Sequence, residues 1–221
     1  MKILITAATE HELLPLKQQI NCENNKAVVA GNTIRLAVTG VGTTITTYNL
    51  TKLLQGNGYD LVLNAGIAGS FSDDIAIGET VVVEREIFAD WGVFIPNGFR
   101  TVFEEGIVRK AVLPFNSDGE LCCRHIAPYT FLKNYKKVKA ITVNAASGEP
   151  VQIEALQNKF TPDIESMEGA AFFYVCMMEN IPFLEIRSIS NKVEKRDKSR
   201  WNIPLSVNNL ADTVLSFLRT L

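Results

Sequence analysis

The sequence is poor in the side chains that build metal centres. It has two His and four Cys among 221 residues, and the cysteines lack the CxxC spacing of zinc and redox motifs. We therefore expect no metal site and no disulfide framework. Free thiols of this kind are typical of a reducing compartment, so we expect the chain to be cytoplasmic.

Two glycine motifs that hold nucleotide cofactors are also missing. The dinucleotide fingerprint G-x-G-x-x-G does not occur, and no Gly is followed by Lys and then Ser or Thr, as in a phosphate-binding loop. The sequence therefore predicts a protein that works without a cofactor.

An excess of positive charge and a long apolar run are absent as well. The formal net charge is −2, which gives no field to attract a phosphate backbone, so nucleic acid is not expected as a partner. No segment reaches the roughly 18 apolar residues that cross a bilayer, and residues 1–6 predict a buried strand rather than a signal peptide. With 47% hydrophobic residues, the chain is expected to form one domain over residues 1–221.

What the sequence does contain is an alternation of apolar runs and helical stretches. The predicted strands are Ile3–Ala7, Ala27–Ala30, Ile34–Val38, Leu61–Asn64, Thr80–Glu84, Val138–Val143 and Phe183–Ile189. The predicted helices are Thr44–Gln55, Pro150–Asn158, Gly169–Glu179 and Leu205–Leu218. Several strands are apolar on both faces, which favours an α/β fold with a central mixed, partly parallel, twisted sheet flanked by helices. Residues 90–119 break the alternation and predict an excursion over one face with a strand pair.

Five short segments stand at the ends of predicted strands, where α/β proteins collect ligands. They are Thr9–Glu12, Thr39–Gly42, Asn64–Ser70, Ser166–Gly169 and Arg187–Asn191. Each has a purely structural explanation when taken alone, because glycines form tight turns, an acid can face a helix dipole and an Asn can sit in a turn. Together they offer two carboxylates and an amide beside glycines, a combination that suits a polar ligand.

These segments resemble the nucleoside phosphorylase/nucleosidase superfamily over nearly the whole chain. The residues that carry the resemblance are Ile3–Glu12, Thr39–Gly42, Asn64–Gly69, Ile164–Ala171, Ile181–Phe183 and Ile186–Ser190. The most specific part is the Met-Glu-Gly-Ala sequence at 167–170 combined with Arg-Ser-Ile-Ser at 187–190. The resemblance implies the fold of that superfamily and an enzyme that cleaves the bond between a purine base and ribose.

The resemblance also implies roles for three residues around the sugar. Glu168 is expected to accept hydrogen bonds from the ribose hydroxyls, and Met167 to pack on the sugar. Glu12 is expected to orient and deprotonate an attacking water, with Glu10 as the alternative base. Phosphorolytic members need an arginine shortly after the first strand, and this chain is acidic there, so water is the expected nucleophile.

Asn191 is implied to face the purine as a catalytic hydrogen-bonding group, with Ile67, Ala68 and Gly69 bordering the base. Within the superfamily, the run from 190 to 201 resembles futalosine hydrolases, enzymes of a menaquinone pathway that release hypoxanthine. The related methylthioadenosine/S-adenosylhomocysteine nucleosidases carry Asp where this sequence has Asn191. An amide can donate to the 6-oxygen of hypoxanthine, which favours a 6-oxopurine substrate.

Several alternatives remain open at this point. Arg196, Arg200 and Trp201 either hold the carboxyphenyl group of futalosine or form a solvated charged loop. The activity is either that of a futalosine hydrolase or that of another purine nucleosidase or phosphorylase, and a nucleoside sensor without catalysis is the third reading. Relatives form dimers or larger assemblies, so a homo-oligomer is expected, with Trp91–Phe103 either at the contact or in a local core.

Overall fold

The structure, a computed structural model, describes residues 1–96 and 98–221. Its strands are β1 (Lys2–Ala7), β2 (Lys26–Val29), β3 (Asn32–Val38), β4 (Leu61–Ser70), β5 (Thr80–Phe88), β6 (Gly92–Ile95), β7 (Gly98–Thr101), β8 (Leu121–Cys122), β9 (Lys137–Thr142), β10 (Ile164–Ser166) and β11 (Phe183–Lys192). Its α-helices are α1 (Glu10–Gln19), α2 (Thr43–Leu54), α3 (Pro150–Phe160), α4 (Gly169–Met178) and α5 (Ile203–Leu218). Short 3₁₀ segments lie at Thr130–Asn134 and Lys198–Arg200.

A mixed sheet forms the centre of the molecule. Its strand order is β10-β9-β5-β11-β4-β1-β3-β2, with β8 paired to β5. Strand β10 also pairs with β4, which closes β4, β11, β5, β9 and β10 into a ring. The β4–β11 and β1–β4 pairs are parallel, whereas the β5–β11 and β4–β10 pairs are antiparallel. The predicted α/β domain with a mixed, partly parallel sheet is confirmed.

Helices cover the sheet and explain why its strands are apolar on both faces. Helix α1 packs with α5, and α2 packs with α4. Strands β1, β4 and β11 supply fully buried residues such as Ile3, Leu63 and Ile186 to the core beneath them. Strands covered on both faces need no polar side, which is why they appear in the sequence as continuous apolar runs. No helix in the described part of the chain combines the length and apolar character that crossing a membrane requires.

Every predicted strand is present, but β4, β5 and β11 continue beyond their predicted ends. Strand β4 continues through Gly66 and Gly69, and β11 continues through Asn191. The segments expected to follow these strands as turns therefore lie within them. A Cβ atom on Gly66 would lie 3.0 Å from Oε1 of Glu12 and would overlap the guanidinium of Arg187. Glycine is a weak strand former, and it is needed here because buried side chains occupy the space beside it.

Helix α1 is the one long element that the sequence analysis does not predict. It contains Pro15 and carries no clear apolar stripe. A capping box starts it, in which Thr9 Oγ1 accepts from Glu12 N at 3.4 Å and the Glu12 carboxylate accepts from Thr9 N at 2.9 Å. The same interaction turns the Glu12 side chain inward, so the helix start and the candidate base are set by one local motif.

The expected excursion over residues 90–119 is present, and it includes the antiparallel β6–β7 pair. Asn97, which falls in it, is outside the described residues. Trp91 packs edge-on against Phe88 and Phe103, with ring centroids 5.7 and 5.9 Å apart. These rings form a local aromatic cluster, while Phe94 on β6 is 85% exposed.

Candidate active site

The Glu12 carboxylate is buried and joins the start of α1 to strand β4. Its Oε2 accepts hydrogen bonds from Thr9 N (2.9 Å) and Thr9 Oγ1 (2.8 Å), and its Oε1 accepts one from Ile67 N (3.0 Å). Glu10, the alternative base, is exposed and pairs with Lys17 at 2.6 Å. Of the two acids, the one that reaches β4 is Glu12.

Glu168 and Arg187 meet at the same point of β4. Glu168 is the residue before α4, and its Oε1 accepts a hydrogen bond from Gly42 N at 3.3 Å. Its Oε2 lies 3.5 Å from Nη1 of Arg187, which also donates to Ile67 O at 3.3 Å. Ile67 thus binds Glu12 through its N–H and Arg187 through its carbonyl. This shared backbone unit brings two buried carboxylates and a buried guanidinium together.

The charges in this cluster depend on one another. Burial raises the pKa of Glu168 above the ordinary glutamate value, with Arg187 opposing the shift and Glu12 adding to it. Burial acts to lower the pKa of Arg187, but Glu185 and Glu168 outweigh it and raise the value. Arg187 is therefore a fixed cation. A fixed charge in a low-dielectric site acts strongly on any charge that develops beside it.

The Thr39–Gly42 segment supplies a backbone donor to this cluster. Gly42 has φ of 87°, a conformation that favours glycine, and it directly precedes α2. Its N–H therefore points to Glu168. The next residue, Thr43, donates through N and Oγ1 to Oδ1 of Asn144, at 3.2 and 2.7 Å. The cluster thus borders a polar rim formed by α2 and the residues after β9.

Asn191 lies further along the same pair of strands. It is half-buried and opposite Gly69, just after a register shift in the β4–β11 pairing. Its Oδ1 accepts from Ser190 Oγ at 2.8 Å, and its Nδ2 donates to Lys192 O at 2.8 Å. A Cβ on Gly69 would stand 3.1 Å from that Nδ2. From 66 to 69 the strand rises about 10 Å at roughly 3.3 Å per residue, so β4 connects the carboxylate end of the site to the amide end.

The other residues predicted to line the site divide by exposure. Met167, Ile67 and Gly69 are half-buried, which leaves them accessible to a ligand. Ala68 is buried in the core, and its carbonyl oxygen lies 3.2 Å from Ser190 Oγ. Neighbouring residues of a strand face opposite sides, so Ala68 sets the position of Ser190 and Asn191 from behind the site.

The loop after β11 is not brought into the carboxylate cluster. The Arg196 guanidinium stacks over the Trp201 ring, 5.2 Å from its centroid, and Arg196 N donates to Gly148 O at 3.4 Å. Arg200 is exposed and pairs with Glu194 at 2.7 Å. Arg196 and Trp201 thus form one unit that faces the loop after β9, while Arg200 forms a surface ion pair.

The segment 187–191 is predicted to lie at a strand end, but no role is predicted for Arg187 or for Glu185. Both are buried in β11, and Arg187 Nε donates to Glu185 Oε1 at 2.7 Å. The available signal is that two opposite charges stand two residues apart, hence on one face, in an otherwise apolar strand. Buried charges are retained in pairs, so this pattern could have indicated an internal ion pair.

A large groove adjoins the site. Its volume is about 1290 Å³, and it runs between α2, the end of β5 and residues 107–115. Thr43 and Asn144, which form the polar rim beside Glu168, also line this groove. The carboxylate cluster therefore lies next to the groove, at one end of it.

Comparison with known proteins gives the family. The sequence profile of the phosphorylase superfamily matches residues 2–219. The futalosine hydrolase of Thermus thermophilus is 29% identical over 81% of this chain and 79% of its own length. The 5′-methylthioadenosine/S-adenosylhomocysteine nucleosidase of Geobacillus sp. strain WCH70 is 27% identical over 100% of this chain and 99% of its own length.

The fold comparison agrees with the sequence comparison. The native structure of futalosine hydrolase from Helicobacter pylori strain 26695 superimposes with a TM-score of 0.82 at 18% identity, covering 100% of this chain and 98% of that one. The chain belongs to the phosphorylase superfamily, and its relatives place it among the enzymes of that superfamily that are N-glycosyl hydrolases.

Proposed function

We propose that this chain hydrolyses the N-glycosidic bond of a purine nucleoside and that its substrate is futalosine. The observation that carries the proposal is the buried cluster of Glu12, Glu168 and Arg187 around Ile67. Cleavage leaves positive charge on the sugar and negative charge on the departing base. A site that keeps two carboxylates buried around one cation suits the sugar end of that reaction.

In the proposed reaction Glu168 acts on the ribose. Its carboxylate accepts hydrogen bonds from the ribose hydroxyls, and these bonds strengthen as the ring becomes cationic. Met167, half-buried beside it, packs on the sugar. The attacking water forms a bond to the anomeric carbon as the bond to the base breaks. The electron pair of the broken bond leaves with the base.

Glu12 is the proposed general base. It takes a proton from the attacking water, while Thr9 and Ile67 N–H fix the direction of its two oxygens. General-base catalysis of this kind contributes roughly 100- to 10,000-fold. The proton that leaves the water balances the one that the departing hypoxanthine takes up. Asn191 supports the departing base by hydrogen bonding, since an amide is not an acid at neutral pH.

Water is the proposed nucleophile in place of phosphate. Arg187 is the cation in the cluster, and its charge is already engaged by Glu185 and Glu168. An incoming phosphate would approach Glu12 and Glu168 without a free cation to receive it, and unpaired like charges in a buried site repel.

Product analysis tests this function. The purified protein is incubated with futalosine, methylthioadenosine and inosine, with and without phosphate and a chelator, and products are identified by mass. We expect free hypoxanthine from futalosine at a rate that neither phosphate nor the chelator changes. A strict need for phosphate, with a sugar 1-phosphate product, would contradict hydrolysis. Faster turnover of methylthioadenosine would favour the nucleosidase alternative, and no turnover of any nucleoside would favour a sensor.

The second candidate is a methylthioadenosine/S-adenosylhomocysteine nucleosidase. It is supported by the full-length similarity to the Geobacillus enzyme. Asn191 favours futalosine over it, because the amide N–H suits a 6-oxygen. The stacked Arg196–Trp201 pair also favours futalosine, since a guanidinium and a ring suit an aromatic carboxylate. We propose that Arg196 and Trp201 receive the carboxyphenyl group and that Arg200 supports this loop through Glu194.

We also propose a cytoplasmic homo-oligomer, with the groove beside α2 at the contact. Apolar side chains are exposed along it, including Tyr48, Leu113 and Met178, and patches of this kind mark interfaces. Leu113→Lys is expected to shift the protein toward monomers in light scattering. Val28→Lys, also at an exposed apolar residue but on edge strand β2, is the control. An unchanged mass for Leu113→Lys would remove this groove from the contact.

A further inference from the structure

Two buried carboxyl groups outside the proposed reaction face each other beneath the start of α4. Glu86 on β5 and Glu185 on β11 are both fully buried. Oε1 of each lies within 2.7 Å of the position that a Cβ atom on Gly169 would occupy. Residue 169 is glycine because two acids occupy the space where any other side chain would begin. Adjacent buried carboxyl groups do not both ionise without a large cost.

The contacts of the two acids are unequal. Oε1 of Glu185 accepts a hydrogen bond from Arg187 Nε at 2.7 Å, so Glu185 has a direct cationic partner. Oε2 of Glu86 accepts from Thr142 Oγ1 at 2.8 Å, and that hydroxyl accepts from Ala170 N at 2.7 Å. The Thr142 hydrogen is therefore committed to Glu86. Among the described residues, Oε1 of Glu86 has no hydrogen-bond partner, and this is the oxygen nearest Gly169.

The surroundings assign the proton to Glu86. Burial and the Glu185 charge raise the pKa of Glu86 well above the ordinary value. The other titratable groups near the pair are Arg187 on β11, Glu168 before α4, Glu12 on α1, and the thiols of Cys123 and Cys176. Burial raises the pKa of both thiols, to about 12 for Cys123. They are therefore neutral and add no charge.

We propose that Glu86 and Glu185 form an acid–carboxylate pair that positions Arg187. Glu86 holds a proton on the oxygen that faces Glu185, and the Glu185 carboxylate fixes the guanidinium by accepting from Arg187 Nε. Arg187 in turn holds Glu168 and the Ile67 carbonyl. In this arrangement the negative charge of Glu185 neutralises the positive charge of Arg187. The remaining negative charge of the cluster lies on Glu12 and Glu168. The catalytic part of this inference rests on the proposed function, whereas the protonation of Glu86 does not.

The pair predicts opposite results for two matched substitutions. Glu86→Gln replaces a neutral acid with a neutral amide, which can accept from Thr142 and donate to Glu185, so turnover should stay within about twofold of wild type. Glu185→Gln removes the charge that fixes Arg187. Misplacement of a catalytic group by about 1 Å costs on the order of 100-fold, so we expect kcat to fall 10- to 100-fold with little change in KM. Glu120→Gln removes the buried partner of the Arg85–Glu120 ion pair; it is the control and should leave kcat unchanged.

Two measurements test the proton without any substrate. Infrared difference spectra of wild type minus Glu86→Gln should show the C=O stretch of a protonated carboxylic acid at neutral pH. The second is the melting temperature against pH. A carboxyl whose folded pKa is raised stabilises the fold below its unfolded pKa, and that contribution is lost as pH rises through the folded value. Glu86→Gln cannot ionise, so its melting temperature should fall less than that of wild type toward alkaline pH.

The outcomes separate this inference from the proposed function. If the acid band is the same in wild type and in Glu86→Gln, Glu86 carries no proton and the inference is overturned, even if futalosine is the substrate. An acid band without turnover of any nucleoside would leave the pair in place and remove the proposed function. If Glu185→Gln does not fold, Glu185→Asp keeps the charge at a greater distance, and it should lower kcat by a smaller factor with KM unchanged. Equal losses from Glu86→Gln and Glu185→Gln would contradict the assignment.

Discussion

Glu168→Gln is expected to leave a folded protein that turns over at least about 100-fold more slowly, the scale of a lost charge stabiliser. The glutamine keeps an acceptor for Gly42 N–H and a similar volume, but it removes the charge that faces the cationic sugar. Arg187 keeps its partner Glu185, so the buried cation is not left alone. Glu12→Gln should cause a loss of similar size because it removes the base.

The same carboxylate predicts the acid side of the pH profile. In the proposed reaction Glu168 is ionised when it stabilises the sugar cation, and burial raises its pKa. The rate should therefore fall with decreasing pH through a pKa above that of an ordinary glutamate.

Glu10→Gln, on the same helix as Glu12 but exposed, is the control for the substitutions at 12 and 168 and should keep wild-type kcat. Near-full activity of Glu168→Gln with an unchanged melting curve would remove its role. The losses at 12 and 168 need not add, because both act on one transition state.

The architecture is accessible from the sequence because it depends on burial. The apolar runs of β1 and β4 have no polar face, and a sheet covered on both sides is the arrangement that permits this. Helices α2, α3, α4 and α5 are predicted on the same grounds, and their bounds differ from the predictions by a few residues at most. Helix α1 is not predicted, because a capping box, and not an apolar stripe, determines where it begins.

Details of the site depend on contacts between distant segments, which periodicity does not reveal. In the sequence alone, Gly66 and Gly69 resemble turn residues. In the fold they are strand residues that make room for Arg187 and Asn191. The partners of Arg187 come from β11, from the residue before α4 and from β4. Without the sheet register, the sequence does not show that these three partners of Arg187 lie close together.

Strand β4 organises the whole candidate site. The backbone N–H of Ile67 binds Glu12 and its carbonyl binds Arg187, while Gly69 of the same strand lies opposite Asn191. A rigid central strand is a better support for a reaction site than a loop. Strand β4 therefore holds the carboxylate cluster and Asn191 at one spacing, so we expect that a substitution at Asn191 can change specificity without disturbing Glu12 or Glu168.

Asn191 is held in one orientation by its neighbours, and this favours a 6-oxopurine. Its Nδ2 donates to Lys192 O at 2.8 Å while its Oδ1 accepts from Ser190 Oγ. A flipped amide would put two oxygens 2.8 Å apart at Lys192, which is repulsive. One N–H and one lone pair of the amide remain for a ligand. The N–H can bond the 6-oxygen of hypoxanthine, whereas a 6-amino group would meet a second donor.

Asn191→Asp is therefore expected to depress hydrolysis of futalosine and to raise the relative rate on its 6-amino analogue. An unpaired buried polar group costs about 1–3 kcal/mol, roughly 5- to 150-fold, and sites built around one polar group reach about 10,000-fold. The introduced carboxylate has only acceptor oxygens, so it can accept from the 6-amino group of the analogue but has no donor for the 6-oxygen of hypoxanthine. The measurement is kcat/KM for both substrates on wild type, Asn191→Asp and the exposed control Asn208→Asp. If the ratio between substrates is the same in all three proteins, Asn191 does not read the base and the preference for hypoxanthine has another source.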